Sequence, residues 1–283
     1  MLRELRSYQR PKELREALAL LGNAQVKTAP LAGGSELLGR QDTEIEAVVD
    51  LQDVPLDYVM SADEALRIGA LTRLQALVTH PFVRALADSI VARAAEQSAQ
   101  LTERTAGTVG GTLAAGSSAH DLLVALLACD ASLTLQSLRQ TRSLSLLDFL
   151  RGHAQYLTSD VLITELALPA QPHGARFALE RVARTPHDRA IVNVAARATA
   201  NGSRFRDVRV AAGGVGERPI RLNVVEAMLE GASPGAAALS AARKAACEAV
   251  QPESNHIASG EYRRAMVGVL VQRAFEVIAG GEA

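Results

Sequence analysis

Apolar residues recur along this chain with two periods, one of three to four residues and one of two, which predict helices and strands respectively. In RPKELREALALLG, Leu14, Leu18 and Leu21 share one face of a predicted helix, and the closing glycine suits its end. A strand in AQVKTAPLAGG, a brief helix in SELLGRQ and a buried strand in EAVVDL follow. These elements predict a first unit spanning residues 1–55.

A second predicted unit, residues 56–173, mixes the two periods. LDYVM and ALRIGAL predict neighbouring strands, Thr72 is suited to cap the helix in RLQALVTH, and a longer helix is predicted from about Pro81 to Gln100. A glycine-rich stretch then precedes the apolar helix HDLLVALLACD. The strands ASLTLQS and VLITELALP, with the short helix LLDFLRG between them, complete the unit.

The last predicted unit, residues 174–283, has strands before helices. Its strands are RFALERVAR, AIVNVAARAT and FRDVRVAAGGVG, and the pair Asn201–Gly202 suits a tight hairpin between the last two, because glycine adopts positive φ. Three helices follow, in RLNVVEAMLEG, PGAAALSAARKAACEAV and SGEYRRAMVGVLVQRAFEVI. Runs of strands followed by runs of helices indicate an α+β fold and not a doubly wound parallel sheet.

The composition is that of an ordinary globular protein without a strong net charge. Of the 283 residues, 48% are hydrophobic and 22% are charged, and the chain is long enough for about two domains. Lysine and arginine together number 30, against 31 for aspartate and glutamate, which gives a net charge of −1. Because nucleic-acid binding depends on neutralising phosphates, this balance argues against a nucleic-acid partner.

Other sequence signals bear on the compartment and on metals. The stretch MLRELRSYQRPKEL is charged throughout and the apolar runs are too short for a membrane span, so a cytoplasmic protein without a membrane span is expected. Cys129 and Cys247 lack a CxxC spacing and are expected to be reduced thiols, too few for an iron–sulfur cluster. The six histidines show no ligand spacing, so no metal site is predicted.

Two glycine clusters carry the candidate chemistry: LAGGSELL, residues 31–38, and GTVGGTL, residues 107–113. Each offers backbone N–H groups, side-chain hydroxyls and no Cβ in the way, which suits a loop that cradles phosphate oxygens. Neither is a P-loop or a G-x-G-x-x-G fingerprint, and an ordinary glycine turn explains each one taken singly. Two such clusters in adjacent units point to one diphosphate bound between them.

The same two stretches carry a family resemblance. AGGSELL and GTVGGTLAAGSSAHDLLVALLACDASLTL resemble the two flavin loops of the molybdenum hydroxylase flavoprotein subunit, a family that includes the medium subunit of aerobic carbon monoxide dehydrogenase and the FAD domain of xanthine dehydrogenase. LERVARTPHDRAIVNVAA, VRVAAGGVGERPIR and SGEYRRAMVGVLVQRA resemble its C-terminal domain, so the likeness extends from Leu5 to Ile278. It implies a two-part FAD-binding domain of the vanillyl-alcohol-oxidase-like type, followed by a small antiparallel sheet with helices.

The resemblance also assigns cofactor-binding residues. It implies that one side of the FAD diphosphate is wrapped, mainly through backbone N–H groups, by Ala32, Gly33, Gly34, Ser35 and Glu36. It implies that the other side is closed by Thr108, Val109, Gly110 and Gly111, with the Thr108 hydroxyl on an oxygen. Asp121 is expected to accept a hydrogen bond from a sugar or ribityl hydroxyl, Ile163 to touch the ring system, and Arg181 to stand where a lysine is common.

By this resemblance the chain is the flavoprotein subunit of a hetero-oligomeric oxidoreductase, inactive on substrate alone. It is expected to pass electrons from the 2Fe-2S cluster of a small subunit to an external acceptor, while a large molybdopterin subunit oxidises the substrate. No residue of this chain is then catalytic. Two alternatives stay open: a stand-alone FAD oxidoreductase, which needs its own acid or base, and a flavin-free relative that acts as a scaffold or assembly protein.

The chain departs from the family pattern close to the expected flavin. Thr105 and Thr112 replace asparagines, and His120 adjoins Asp121 where a small residue is common. Arg189 follows an aspartate where relatives often place an aromatic ring against the flavin. If Arg189 faces the ring, its charge is expected to favour the anionic reduced or semiquinone state.

Overall fold

The structure, a computed structural model, describes residues 5–22, 25–39, 42–62, 64–186, 188–201 and 204–280. The strands in these residues are β1 (Ser7–Gln9), β2 (Thr28–Leu31), β3 (Ala47–Asp50), β4 (Val59–Ala62), β5 (Ala65–Gly69), β6 (Ser132–Gln136), β7 (Thr141–Ser145), β8 (Leu162–Pro169), β9 (Ala175–Val182), β10 (Val192–Asn201), β11 (Arg204–Gly213) and β12 (Ile220–Arg221). The helices are α1 (Leu14–Gly22), α2 (Ser35–Gly39), α3 (Leu74–Thr79), α4 (Pro81–Ala85), α5 (Ile90–Ser98), α6 (Leu101–Ala106), α7 (Val109–Ala115), α8 (Asp121–Ala128), α9 (Leu146–Arg151), α10 (His153–Tyr156), α11 (Asn223–Leu229), α12 (Ala236–Glu248) and α13 (Gly260–Gly280).

The first sheet is parallel, with the strand order β1-β3-β2. Helix α1 packs onto it through Ala17, Leu18 and Leu21, which are buried with Val49, and the helix predicted from the leucine spacing is thereby confirmed. Strand β1 has the polar sequence SYQ and two exposed residues, so its sequence carries no strand pattern. Its order comes from pairing with β3, a contact that is distant along the chain.

The second sheet is antiparallel, with the order β4-β5-β8-β6-β7. Helix α8 lies in the core beside it, and all its residues from Asp121 to Ala128 are buried. A helix that is apolar all round is stable only when it is covered on every side. Here α8 is covered by α5 and by strands β10 and β11 of the C-terminal part of the chain.

The third sheet is antiparallel, with the order β12-β11-β10-β9, and helices α12 and α13 follow it. Side chains alternate across strand β10: Ala195 joins the core around α8, whereas Val194 and Ala196 join the core with α13. The sheet therefore lies between α8 and α13, and the predicted α+β fold is confirmed. Asn201 pairs with Arg204 across the β10–β11 hairpin, whose predicted turn residue Gly202 lies outside the described residues.

Both ends of α8 are tied to β10 by polar contacts. At the start of the helix Asn193 Nδ2 donates to Asp121 Oδ1 at 2.7 Å, and beyond its end Arg197 Nη2 lies 2.8 Å from Asp130 Oδ2. The eight residues of α8 span about 12 Å and the four steps of strand from Asn193 to Arg197 about 13 Å, so the two pairs match in spacing. The alternation of β10 brings Asn193 and Arg197 to the same face as Ala195.

Asp130 is the centre of an ion-pair network between the two halves of the chain. Arg209 Nε and Arg221 Nη1 each lie 2.9 Å from its carboxylate, in addition to Arg197. Burial acts to raise the pKa of Asp130, but the three arginines outweigh it and hold that pKa below its ordinary value. The network fixes the C-terminal sheet against the end of α8.

Three local predictions were wrong. The single helix predicted from Pro81 to Gln100 is interrupted, because Ala87, Asp88 and Ser89 have φ of 54°, 50° and 59°, a conformation that ends a right-handed helix. The stretch GTVGGTL is not a plain turn, since Val109–Ala115 form helix α7.

Thr72 does not cap α3 either. Its hydroxyl donates to the carbonyl oxygen of Tyr58 and accepts from the Tyr58 N–H, while Arg73 precedes the helix without a side-chain cap. Thr72 is almost fully buried, so its side chain serves the packing of strand β4 and not the helix end.

Candidate cofactor site

A cavity of about 510 Å³ opens between the first two sheets and is bounded by the two glycine clusters. Its lining includes most of the residues predicted to bind the cofactor: Ala32, Gly33, Gly34, Ser35, Glu36, Thr108, Gly110, Gly111 and Ile163. Its walls are largely aliphatic, with Ile45, Leu51, Leu71 and Leu162. The predicted loops are thus brought to one place by elements that are far apart in sequence.

The first glycine loop is shaped by contact with the second. A Cβ on Gly33 would lie 2.0 Å from the carbonyl oxygen of Ala106, so only glycine fits where the two backbones touch. Gly34 has φ of +79°, which side chains rarely adopt. The first bond of helix α2 runs from the Leu38 N–H to the Gly34 carbonyl at 2.9 Å. The amides of the first turn of α2 have no acceptor inside the helix, and they border the cavity.

The second glycine loop is arranged differently, because its amides are already paired. The N–H groups of Val109 and Gly110 donate to the carbonyls of Thr72 and Ala70 at 3.0 and 2.7 Å. The Gly111 N–H donates to Thr108 Oγ1 at 3.1 Å, so the Thr108 side chain caps the start of α7. Within the described part of the chain, the Thr108 hydroxyl makes no bond as a donor. This loop therefore offers the cavity one hydroxyl and a bare helix surface.

The glycines of α7 allow its close approach to the neighbouring strand. A Cβ on Gly110 would lie 2.8 Å from the Cβ of Ala70, which is tighter than real contacts allow. Gly111, Ala114 and Ala115 line the cavity and share one face of the helix. Val109 does not line it, since its side chain is fully buried in the core.

Asp121 and Arg181 lie outside the lining of this cavity, in a buried polar cluster at the start of α8. Asp121 is fully buried, and Arg181 Nε lies 3.3 Å from its Oδ2. That distance is within reach of an ion pair, but the atoms are not aligned for a hydrogen bond. Burial raises the pKa of Asp121, against the opposing effects of Arg181 and Asn193.

Four atoms of this cluster are buried without a hydrogen-bond partner: Asp121 Oδ2, Arg181 Nε, Asn193 Oδ1 and His120 Nδ1. Buried polar atoms are nearly always paired in proteins. Asp121 Oδ2 and Arg181 Nε face each other as an ion pair, whereas Asn193 Oδ1 and His120 Nδ1 have no hydrogen-bond partner among the described residues. His120 and Asp121 connect this cluster to the cavity, because His120 Nε2 lies 3.3 Å from Oε1 of Glu36, a residue of the lining.

Glu36 also meets the C-terminal half of the chain. Arg189 Nη2 donates to Glu36 Oε1 at 2.7 Å. The arginine whose position in relatives often faces the flavin is therefore paired with the first glycine loop. The hydrogen bond from His120, followed by the charge of Arg189, lowers the pKa of Glu36 to about 2. Glu36 is therefore ionised across the physiological range.

Sequence reasoning missed Asn193 and the partners of Glu36. Asn193 is polar in the otherwise apolar stretch AIVNVA, and its two-residue spacing from Ala195 and Arg197 is a signal that was available. The contact between Glu36 and Arg189 joins residues far apart in sequence, and no local sequence pattern predicts it.

The described residues have no further feature that indicates a metal site or a membrane span. No group of three or more histidine, cysteine, aspartate or glutamate side chains there is arranged to hold a metal ion. None of the helices described is both long and apolar enough to cross a membrane. A second cavity of about 580 Å³ lies between α5, β9 and α13 and contains none of the predicted cofactor residues.

Two family models match the chain. The FAD binding domain in molybdopterin dehydrogenase matches residues 3–171, and the CO dehydrogenase flavoprotein C-terminal domain matches residues 177–278. The chain is 30% identical over 282 residues to the glyceraldehyde dehydrogenase medium chain of Sulfolobus acidocaldarius, covering 96% of this chain and 98% of that one. It is 31% identical over 263 residues to the 6-hydroxypseudooxynicotine dehydrogenase complex subunit alpha of Paenarthrobacter nicotinovorans, covering 91% of this chain and 88% of that one.

A solved structure matches over the whole length. It is carbon monoxide dehydrogenase from Hydrogenophaga pseudoflava lacking the Mo-pyranopterin moiety, with a TM-score of 0.94, 28% identity and 100% of both chains covered. Two glycine loops on one cavity, followed by an antiparallel sheet with helices, define the class of a flavoprotein subunit. The chain belongs to the FAD-binding medium subunits of the molybdenum hydroxylases, the family of the CO dehydrogenase medium chain, and its cofactor is FAD. The resemblance found in the sequence is confirmed.

Proposed function

We propose that this chain holds FAD in the cavity between the two glycine loops and acts as the electron-transfer subunit of a molybdenum hydroxylase. The observation that carries the proposal is the convergence of both loops on one cavity that has free amides on one side and aliphatic walls. When bound, FAD supplies the exchange between one-electron and two-electron transfer.

The residues of the two glycine loops and Ile163 have different parts in the proposed binding of FAD. Ser35 and Glu36 present the first amides of α2, which suit a diphosphate, and Gly33 and Gly34 leave room for it. Thr108 adds its hydroxyl from the other loop, and the role of Val109, Gly110 and Gly111 is to bring α7 close. Ile163 gives an apolar wall for the ring system.

The polar cluster at the start of α8 completes the proposed site. Asp121 accepts from a cofactor hydroxyl at Oδ2, which has no aligned hydrogen bond, and Arg181, whose Nε lies 3.3 Å from that oxygen, balances the charge. No residue of the chain is assigned an acid or base role, because electron transfer needs none. The work of the protein is to bind, to orient and to exclude water.

The proposed partners are a 2Fe-2S small subunit and a molybdopterin-binding large subunit. Support comes from the relatives, which are described as a medium chain and as the subunit of a dehydrogenase complex. In this assembly the substrate is oxidised on the large subunit, and this chain receives electrons from the cluster. An external acceptor then takes these electrons from the flavoprotein subunit.

A purification from the native host tests the function. An affinity-tagged chain is expected to retain FAD and to bring down one cluster-bearing small subunit and one large molybdopterin subunit. Addition of the substrate of the complex should bleach the flavin absorbance in the complex and leave the isolated chain unchanged. Turnover of an aldehyde or purine by the isolated chain would favour a stand-alone oxidoreductase, and a colourless chain in every preparation would favour a scaffold.

A further inference from the structure

The carboxylate of Glu36 joins three parts of the chain at the edge of the cavity. Glu36 belongs to α2 in the first glycine loop, His120 precedes α8, and Arg189 lies between β9 and β10 in the C-terminal half. Its Oε1 lies 2.7 Å from Arg189 Nη2 and 3.3 Å from His120 Nε2. One oxygen thus bridges the loop that borders the cavity and the part of the chain that follows β9.

Helix α2 is lightly anchored. It has five residues, none of them is buried, and its apolar packing comes from the half-buried Leu37 against the small cluster of Ala29, Ile45 and Val48. Within the described residues, the side-chain hydrogen bonds of α2 are those of Glu36. The helix borders the cavity, so the polar contacts of Glu36 add to this packing in setting the position of that edge.

The burial of the three side chains differs in a way that suits a reversible contact. The His120 side chain is 5% exposed and is fixed beside Asp121, whereas the Arg189 side chain is 49% exposed. An ion pair with one exposed member contributes little to the stability of the fold. The contact is therefore too weak to hold the fold together, but strong enough to bias the position of a short, unburied helix.

We propose that Glu36, Arg189 and His120 form a clasp that holds α2 against the C-terminal half and slows the loss of FAD from the cavity. The proposal rests on the FAD site proposed above. Arg189 and Glu36 act as positioning residues in it, since they act through the backbone of α2. Arg189 is one of the departures from the family pattern given above.

The test measures FAD dissociation from the FAD-loaded chain. The variants are Glu36→Gln, Arg189→Gln and the exchanged pair Glu36→Arg with Arg189→Glu. Arg184→Gln is the matched control, because Arg184 lies in the same connection and pairs with Asp188, away from Glu36. The rise of flavin fluorescence after dilution gives the rate, at low salt and at 0.5 M salt.

Each single variant is expected to release FAD roughly five-fold faster than the wild type. The exchanged pair should return the rate to within about two-fold, and Arg184→Gln should match the wild type. Salt should accelerate release from the wild type and leave the single variants unchanged, because an exposed ion pair is screened. The melting temperature of the flavin-free chain should be the same in all.

Three results would overturn the clasp. Wild-type release rates in both single variants, with FAD bound normally, would refute it and leave the FAD site standing. A changed flavin reduction potential in Arg189→Gln at an unchanged release rate would instead assign Arg189 to the flavin ring. A wild-type chain that retains no FAD would overturn the FAD site itself, and the clasp with it.

Discussion

Asp121 illustrates at the scale of one residue how a buried acid can oppose folding. It is fully buried, its Oδ2 lies 3.3 Å from Arg181 Nε without an aligned hydrogen bond, and burial raises its pKa above the ordinary value. An acid whose pKa is higher in the folded than in the unfolded state destabilises the fold when it ionises. The loss of stability grows as the pH rises from the unfolded pKa through the folded one. The proposed hydrogen bond to a cofactor hydroxyl would give this group a function that offsets the loss.

We therefore expect Asp121→Asn to separate stability from binding. The amide keeps the contact to Asn193 and removes the buried charge, so the melting temperature of the flavin-free chain at pH 7 should stay equal or rise. FAD affinity should fall roughly 10-fold to 100-fold, as for the loss of one hydrogen bond to a charged group. Thermal melts and FAD titrations of the same preparations check both. A lower melting temperature with unchanged FAD affinity would make Asp121 a structural residue.

At the scale of elements, the glycine clusters serve the contact between segments as much as the contact with a ligand. The sequence shows that both stretches need glycine, and the reason differs for each one. Gly33 is placed against the backbone of α6, and Gly110 against strand β5. Neither contact is visible from local sequence, because the opposing residues lie about 40 to 70 positions away.

Gly33→Ala tests the contact between the two loops. The new Cβ would overlap the carbonyl oxygen of Ala106, so the loops must separate, at a cost of about 1–3 kcal/mol in the free energy of unfolding. FAD binding should weaken with it. Gly39→Ala, at the end of helix α2 that follows this loop, is the control, since a Cβ there meets no atom within 4 Å and stability should hold or improve slightly. Denaturant unfolding measures the free energy of unfolding of the wild type and of both variants. A Gly33→Ala chain as stable as the wild type would refute the close contact.

Helix α7 shows why some elements escaped prediction. Two glycines in its first turn lower its helix propensity, and its start depends on carbonyl acceptors at residues 70 and 72 that sequence cannot reveal. The predicted helix from Pro81 to Gln100 failed for the opposite reason. Its composition suits a helix throughout, but tertiary packing places three consecutive residues at positive φ.

At the scale of the whole molecule, the apolar periodicity predicted most of the architecture. The last unit was predicted to have strands before helices, and HDLLVALLACD was predicted to be a helix, and the structure has both. Strand order was not predictable, since β1 and β12 are too short to show a strand pattern and are ordered by pairing with β3 and β11. The two glycine loops on the cavity were found because their sequence signal is local, whereas Asn193 and the partners of Glu36 were missed because their contacts are distant along the chain.

The central claim is that FAD occupies the cavity between the glycine loops. Its most direct test is an equilibrium titration of the flavin-free chain with FAD, comparing the wild type with Ala115→Trp. Ala115 lines the cavity, and an indole there fills it. Ala237→Trp, on an exposed position of α12, controls for the substitution itself. We predict one FAD per chain for the wild type and for Ala237→Trp, and roughly 100-fold weaker binding for Ala115→Trp, which corresponds to about 2.7 kcal/mol. Equal affinity in all three chains would contradict this account.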